Sequence, residues 1–365
     1  MSHTLNDHNH RNARSGFTLI ELLVVVAVIA ILISVLLPAL NAARGAAQKI
    51  VGGNMHKQMG VGMITYASDN DQDIPGPNTS GARYLWSGFV PGQGFFDGDD
   101  ELMGNTSGST PVSTHDWISP TLGESLGFSP NRAERHADIL NDWACPSAAR
   151  PNDLVFGSSD DEDDFFDVLE TEGFNQISFL SPEAFHLMPD GGPLTGGNWP
   201  NPFLPSSMTN RGQGNLLMAS NLNRSYDLPL SYRPRFDKIR NTSNKVLITD
   251  GCRYLTDEQI LDFDINASPN NFGSFLTSGP IVPDSFATAF RRDQGSGKSA
   301  ESWKLSVRHN GNTAVNTTRF DGSVQTVNLE SLYNDPFPWY PVGTELNDAV
   351  SDVSDNNSFP LEIQR

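Results

Sequence analysis

Apolar and polar positions divide the chain into an N-terminal helical part and a large mixed part. From Phe17 to Leu37 the sequence is an apolar run of 21 residues with one ionisable member, Glu21. As a helix it would span roughly 32 Å, which matches the hydrocarbon thickness of a bilayer. Beyond Pro38, the segment Ala39 to Ala47 is helix-forming, and Val51, Met55, Met59, Gly62, Met63 and Tyr66 recur at three- and four-residue steps. That spacing predicts one apolar stripe on a continuing helix that packs on the rest of the chain. Pro38 is expected to kink or locally open the helix, and Gly45, Gly52, Gly53 and Gly60 to weaken it. The helix should end near Ser68, where Asp69-Asn70-Asp71-Gln72-Asp73 leads into Pro75-Gly76-Pro77.

The remainder reads as short elements separated by loops. Glycine-rich stretches from Tyr84 to Thr114 and from Met188 to Met208 predict loops. Asn131 to Trp143 reads as a short helix, and Lys245 to Cys252 as a buried strand ended by a turn. Asn310-Gly311 and Asp321-Gly322 are hairpin signals, because a type I′ turn needs positive φ at both central residues, so residues 314–329 read as a β-hairpin. The expected class is α+β: a long N-terminal transmembrane helix on a large, loop-rich head with an antiparallel sheet. The expected divisions are a cytoplasmic leader, 1–16; the long helix, 17–68, with its transmembrane segment 17–37; an exported head, 69–344; and a loosely held acidic tail, 345–365.

Charge sharpens this picture. The net charge of −19 lies wholly beyond the apolar run, since residues 1–37 carry only Asp7, Arg11, Arg14 and Glu21. An acidic surface disfavours nucleic acid and suits cations, basic partners or plain solubility. Arg11 and Arg14 precede the apolar run and keep that end cytoplasmic, sending the head across the membrane. Glu21 inside lipid calls for a partner. A cut after Gly16 would supply one, because the new amine of Phe17 lies one helical turn before Glu21.

Gly16-Phe17-Thr18-Leu19-Ile20-Glu21-Leu22-Leu23, with Pro38 further on, resembles the processing site of type IV prepilins and type II secretion pseudopilins. The resemblance implies cleavage between Gly16 and Phe17 by a prepilin peptidase, N-methylation of Phe17 by the same peptidase/methyltransferase, and packing against other prepilin-like subunits through the helix. Asn54 to Asp71, Cys145-Pro146-Ser147 and the pairing of His309 with Asp321-Gly322 resemble large-headed prepilin-like proteins with a His-x9-Asp-Gly signature. Here eleven residues, rather than nine, separate His309 from Asp321, which leaves the hairpin intact and weakens any direct meeting of the two.

Candidate chemistry is sparse. Asp69, Asp71 and Asp73 alternate like the opening of a calcium loop, yet Ile74 stands where an EF-hand needs glycine and Ser80 where it needs glutamate. A solvated acidic turn is the favoured reading, with calcium the ion to test; the acidic runs at residues 97–101 and 160–164 are read alike. Cys145 and Cys252 either pair in an oxidising compartment or stay as two buried thiols. Gly295-Ser296-Gly297-Lys298-Ser299 lacks the first glycine and the leading strand of a phosphate loop. No nucleophile elbow, zincin helix or zinc-spaced cluster occurs. The expected function is structural, not enzymatic: a single-pass inner-membrane subunit that assembles into a type IV pilus or type II secretion pseudopilus. The alternative is a membrane-tethered binding module or enzyme that uses the helix only as an anchor.

Overall fold

The computed structural model describes residues 18–81, 89–90, 94–95, 107–113, 115–148, 151–152, 154–156, 161–189, 226–252, 260–263, 275–277, 279–280, 290, 306–346 and 362–364. Helix α1, Leu19–Asp69, runs through Pro38 without a break in the helix. The chain divides into two compact units, Met1–Ala47 and Gln48–Arg365. In the first, every described residue is exposed, and the stretch is long and apolar enough to cross a membrane.

In the second unit the core is a five-stranded sheet. Its strands are β1 (Phe179–Pro182), β3 (Val246–Asp250), β4 (Leu276–Thr277), β5 (Ala314–Arg319) and β6 (Val324–Asn328), in the order β4-β1-β3-β5-β6. All neighbours are antiparallel except β4 and β1, so the chain is α+β with an antiparallel sheet. Every residue of β3 and β5 is buried, so both faces of β3 are covered, in keeping with the consecutive apolar residues Val246, Leu247 and Ile248 at its start. A bulge between Thr318 and Arg319 shifts the register of β5 on β3.

The last turns of α1 lie on β5. Its buried positions are Gly52, Met55, His56, Met59, Gly60, Gly62, Met63 and Ala67. The expected stripe holds at Met55, Met59, Gly62 and Met63, whereas Val51 is exposed, Tyr66 is half-buried, and Gly52, His56, Gly60 and Ala67 join the buried face. The glycines mark closest approach, since a Cβ on Gly60 would stand 2.7 Å from Thr318 Cγ2 and one on Gly62 would stand 2.7 Å from Leu122 Cδ2.

Helix α2 (Ile118–Leu126) ends at Gly127 in the left-handed region, and α3 (Arg132–Ala137) starts on the side chain of Asn131, which accepts from the Glu134 amide. A single π-helical turn, Asp138–Asp142, continues α3, in agreement with the helix expected over 131–143. Helix α4 (Glu162–Thr171) buries Phe165 and Val168. Phe165 stacks with Phe174 and Phe263 beside His136, and Arg132 crosses this aromatic cluster to Asp161.

Two expectations need correction. The hairpin β5–β6 forms, but the tight two-residue turn does not: Gly322 alone takes positive φ, and its amide donates to Arg319 O at 2.9 Å. Asp321 instead accepts from the amide and hydroxyl of Ser323. The C-terminal segment is also tied down at both of its described ends. Strand β7 (Glu345–Leu346) pairs with β2 (Tyr226–Asp227), and Ile363 is fully buried with its amide on Thr344 O at 2.8 Å. Buried apolar anchors hold it despite its acidic composition. The expected loops over 84–114 and 188–208, the acidic run at 97–101 and the loop at 295–299 lie wholly or mostly outside the described residues.

Candidate functional site

Strand alternation points Asp250 to the α1 side of the sheet, together with Asn316 and Thr318 of β5. Four donors converge on its carboxylate. Arg308 Nη2 donates to Oδ1 at 2.5 Å, and the Asn316 amide to Oδ2 at 2.5 Å. Nε2 of His56 lies 3.2 Å from Oδ1, and Nε2 of His309 lies 3.0 Å from Oδ2. His56 is held by Thr318 Oγ1 at 3.0 Å and by the edge of Phe179. Arg308 also donates to Ser178 O at 2.7 Å. Every member is buried.

Burial alone would raise the Asp250 pKa; Arg308, His309 and His56 outweigh it and hold the carboxyl far below the ordinary carboxylate range. The group is a buried ion pair with its lone pairs filled, the arrangement in which interior charge is tolerated.

Cys145 completes the cluster. Its Sγ, an Asp250 oxygen and a His309 nitrogen lie within 4.8 Å of one another. The Cys145 amide donates to Ser178 Oγ at 3.2 Å, its Sγ is 3.1 Å from Ser147 Oγ, and Gly52 of α1 passes close over it. The residue types suit a metal or a thiol nucleophile. A divalent ion, however, would compete with the Arg308 guanidinium for a carboxylate already saturated with donors, and burial closes the thiol to substrate. The cluster's chemistry is architectural: it locks α1, the Cys145 turn, β3 and β5 together.

The sequence-derived candidates fall differently. Gly16 and Phe17 lie outside the described residues. Glu21 is bonded to Thr18: its Oε2 accepts from the Thr18 amide at 2.9 Å and hydroxyl at 2.8 Å, while its own amide donates to Thr18 Oγ1 at 3.3 Å. This reciprocal pair is a capping box at the start of α1, legible in Thr-x-x-Glu. His309 meets Asp250 and Asn316, not Asp321. Cys145 and Cys252 are both buried and no disulfide joins them. Asp69 and Asp71 are exposed and Asp73 is buried, and among the described residues they do not converge as a calcium site would require. Asp250, His56 and Arg308 escaped sequence reading; the usable signals were a carboxylate closing an apolar strand and a histidine on a buried helical stripe.

Residues 11–37 match the family model of the prokaryotic N-terminal methylation motif. Searches of curated proteins and of solved structures return no match. The motif overlaps the start of a helix long and apolar enough to cross a membrane; residues 11–37 thus resemble the N-terminus of type IV pilin-like and pseudopilin-like subunits, and the two observations together support membrane anchoring.

Proposed function

We propose that the chain is a structural, non-enzymatic subunit of a type IV pilus or type II secretion pseudopilus. In this reading prepilin peptidase cuts between Gly16 and Phe17 and methylates Phe17. The protein then spans the inner membrane once, N-terminus cytoplasmic and head exported, until α1 packs against the helices of other prepilin-like subunits. The observation that carries the reading is the methylation motif at residues 11–37 running directly into an apolar helix with no burial in its own chain. A helix apolar all round and uncovered by its own fold is suited to lipid and then to neighbouring helices. The test is the N-terminal mass of the protein isolated from membranes. A mature chain beginning at methylated Phe17 is expected, and replacing Gly16 by a bulkier residue should leave the full-length precursor. An unprocessed parent would overturn the proposal in favour of a tethered binding module or enzyme.

A further inference from the structure

A cavity of about 600 Å³ opens between the last turn of α1, the following loop, Ser107–Pro111 and α2. Three carboxylates line it: Asp73 inside, 4% exposed, with Asp69 and Glu124 exposed at its mouth. No lysine or arginine is among the described lining residues. Oδ1 of Asp73 has no hydrogen-bond partner. Arg235 is the cation that acts on Asp73, but its Nε donates to Asp237 at 2.8 Å, and Asp71 and Asp237 add negative charge around the site. An unsatisfied buried carboxylate oxygen is costly and calls for a donor.

The lining decides among donors. Anions are excluded by the charge. A bare metal ion needs converging ligands, and the oxygens of Asp69, Asp73 and Glu124 do not come within 4.8 Å of one another. The volume is that of an organic-ligand pocket. A neutral sugar would leave the negative charges of Asp69 and Glu124 uncompensated and give Asp73 no cation to ionise against. Separated carboxylates around a space of this volume are complementary to separated ammonium groups, each a cluster of donors with no acceptor.

We propose that this cavity binds a small organic polyamine, with Asp73 holding one ammonium group and Asp69 and Glu124 the others. Burial pushes Asp73 up to about 7, against the pull of Arg235, so binding near neutral pH should return it to the carboxylate and release a proton.

Calorimetry of the full-length protein in detergent micelles, with spermidine as probe at pH 6.5 in two buffers of different ionisation enthalpy, tests this. One site per chain with proton release is expected. Asp73→Asn and Glu124→Gln should each weaken binding roughly tenfold, whereas Asp163→Asn, which removes an exposed charge on α4, should leave it unchanged. Circular dichroism confirms that each variant is folded, and Glu124→Gln changes only an exposed side chain. Absence of binding, equal binding in Asp73→Asn and parent, or competition by calcium or maltose would each overturn the proposal; equal loss in Asp163→Asn would reduce it to diffuse attraction.

Discussion

Nε2 of His56 lies 3.2 Å from Oδ1 of Asp250, 194 positions along the chain, with both side chains fully buried. This contact, with Thr318 on the other ring nitrogen, fastens α1 to the middle of the sheet. Asp250→Asn keeps the shape and removes the charge, leaving the Arg308 guanidinium buried without its counter-ion. Denaturant unfolding of the full chain in micelles should show a loss of about 3–5 kcal/mol near neutral pH. Because the folded state holds the Asp250 pKa below its unfolded value, its stabilisation is present above about pH 4 and lost as pH falls. Parent and variant should therefore converge in acid.

Asp73 should behave in the opposite sense. Its pKa is raised to about 7, first by burial, with Asp71 and Asp237 adding to it and Arg235 opposing. Between the unfolded value near 4 and pH 7, the unfolded chain releases this proton and the folded chain keeps it, so stability falls as pH rises across that window. Asp73→Asn removes the dependence. Without added ligand, it should match the parent at pH 4 and exceed it by about 1–2 kcal/mol at pH 8. Equal stability at pH 8 would mean that water already compensates the charge.

Helical glycines give a contrast within one element. A Cβ at Gly53 meets only Asn316 Nδ2 at 4.0 Å, an ordinary contact, so Gly53→Ala should gain up to about 1 kcal/mol from helix propensity. At Gly60 the same atom would press within 2.7 Å of Thr318 Cγ2 on a buried strand. Gly60→Ala should therefore lose about 1–3 kcal/mol despite the same propensity gain. Thermal unfolding of the two variants in parallel reads the difference.

These glycines show where the sequence was silent. Their spacing reads as helix weakening, because single-chain propensity carries no information about what approaches from a distant strand, as Thr318 approaches Gly60. The elements with local causes were legible: the apolar span, the strand at Val246–Asp250 and the hairpin at Ala314–Asn328. The burial of Asp250 was not, since a carboxylate before glycine reads equally well as a turn residue. His309 was singled out by its neighbourhood, but its partner comes from β3, a pairing that depends on strand order. The anchorage of the acidic tail was not legible, because Leu346 and Ile363 are scattered apolar residues without periodicity in a polar stretch, and tertiary contact overrides such a composition.

Cys145 and Cys252 are both fully buried and are not joined by a disulfide. A maleimide should label neither in the native protein, and both after unfolding without reductant. One mass shift of two labels is the expected product. No label on the unfolded chain would mean that the protein isolated from its compartment carries the bridge after all.

The capping box at Thr18 and Glu21 separates two roles that Glu21→Ala would confound. The carboxylate accepts from the Thr18 amide and hydroxyl, and so starts the helix; in the proposed filament it would also neutralise the Phe17 amine of a neighbouring chain. Glutamine at the same position can still accept from the Thr18 amide, since either side chain serves in a capping box. It cannot neutralise an amine. In low dielectric, neighbouring helices in register would match charges, and slipped ones would leave them unmatched at a cost of a few kcal/mol. Glu21→Gln should therefore be processed and anchored like the parent, yet lose most of the crosslinking between cysteines introduced in adjacent helices. Glu21→Ala should lose it too. If Glu21→Gln crosslinks as well as the parent while Glu21→Ala does not, Glu21 acts by capping α1, and charge registry is not what aligns the subunits.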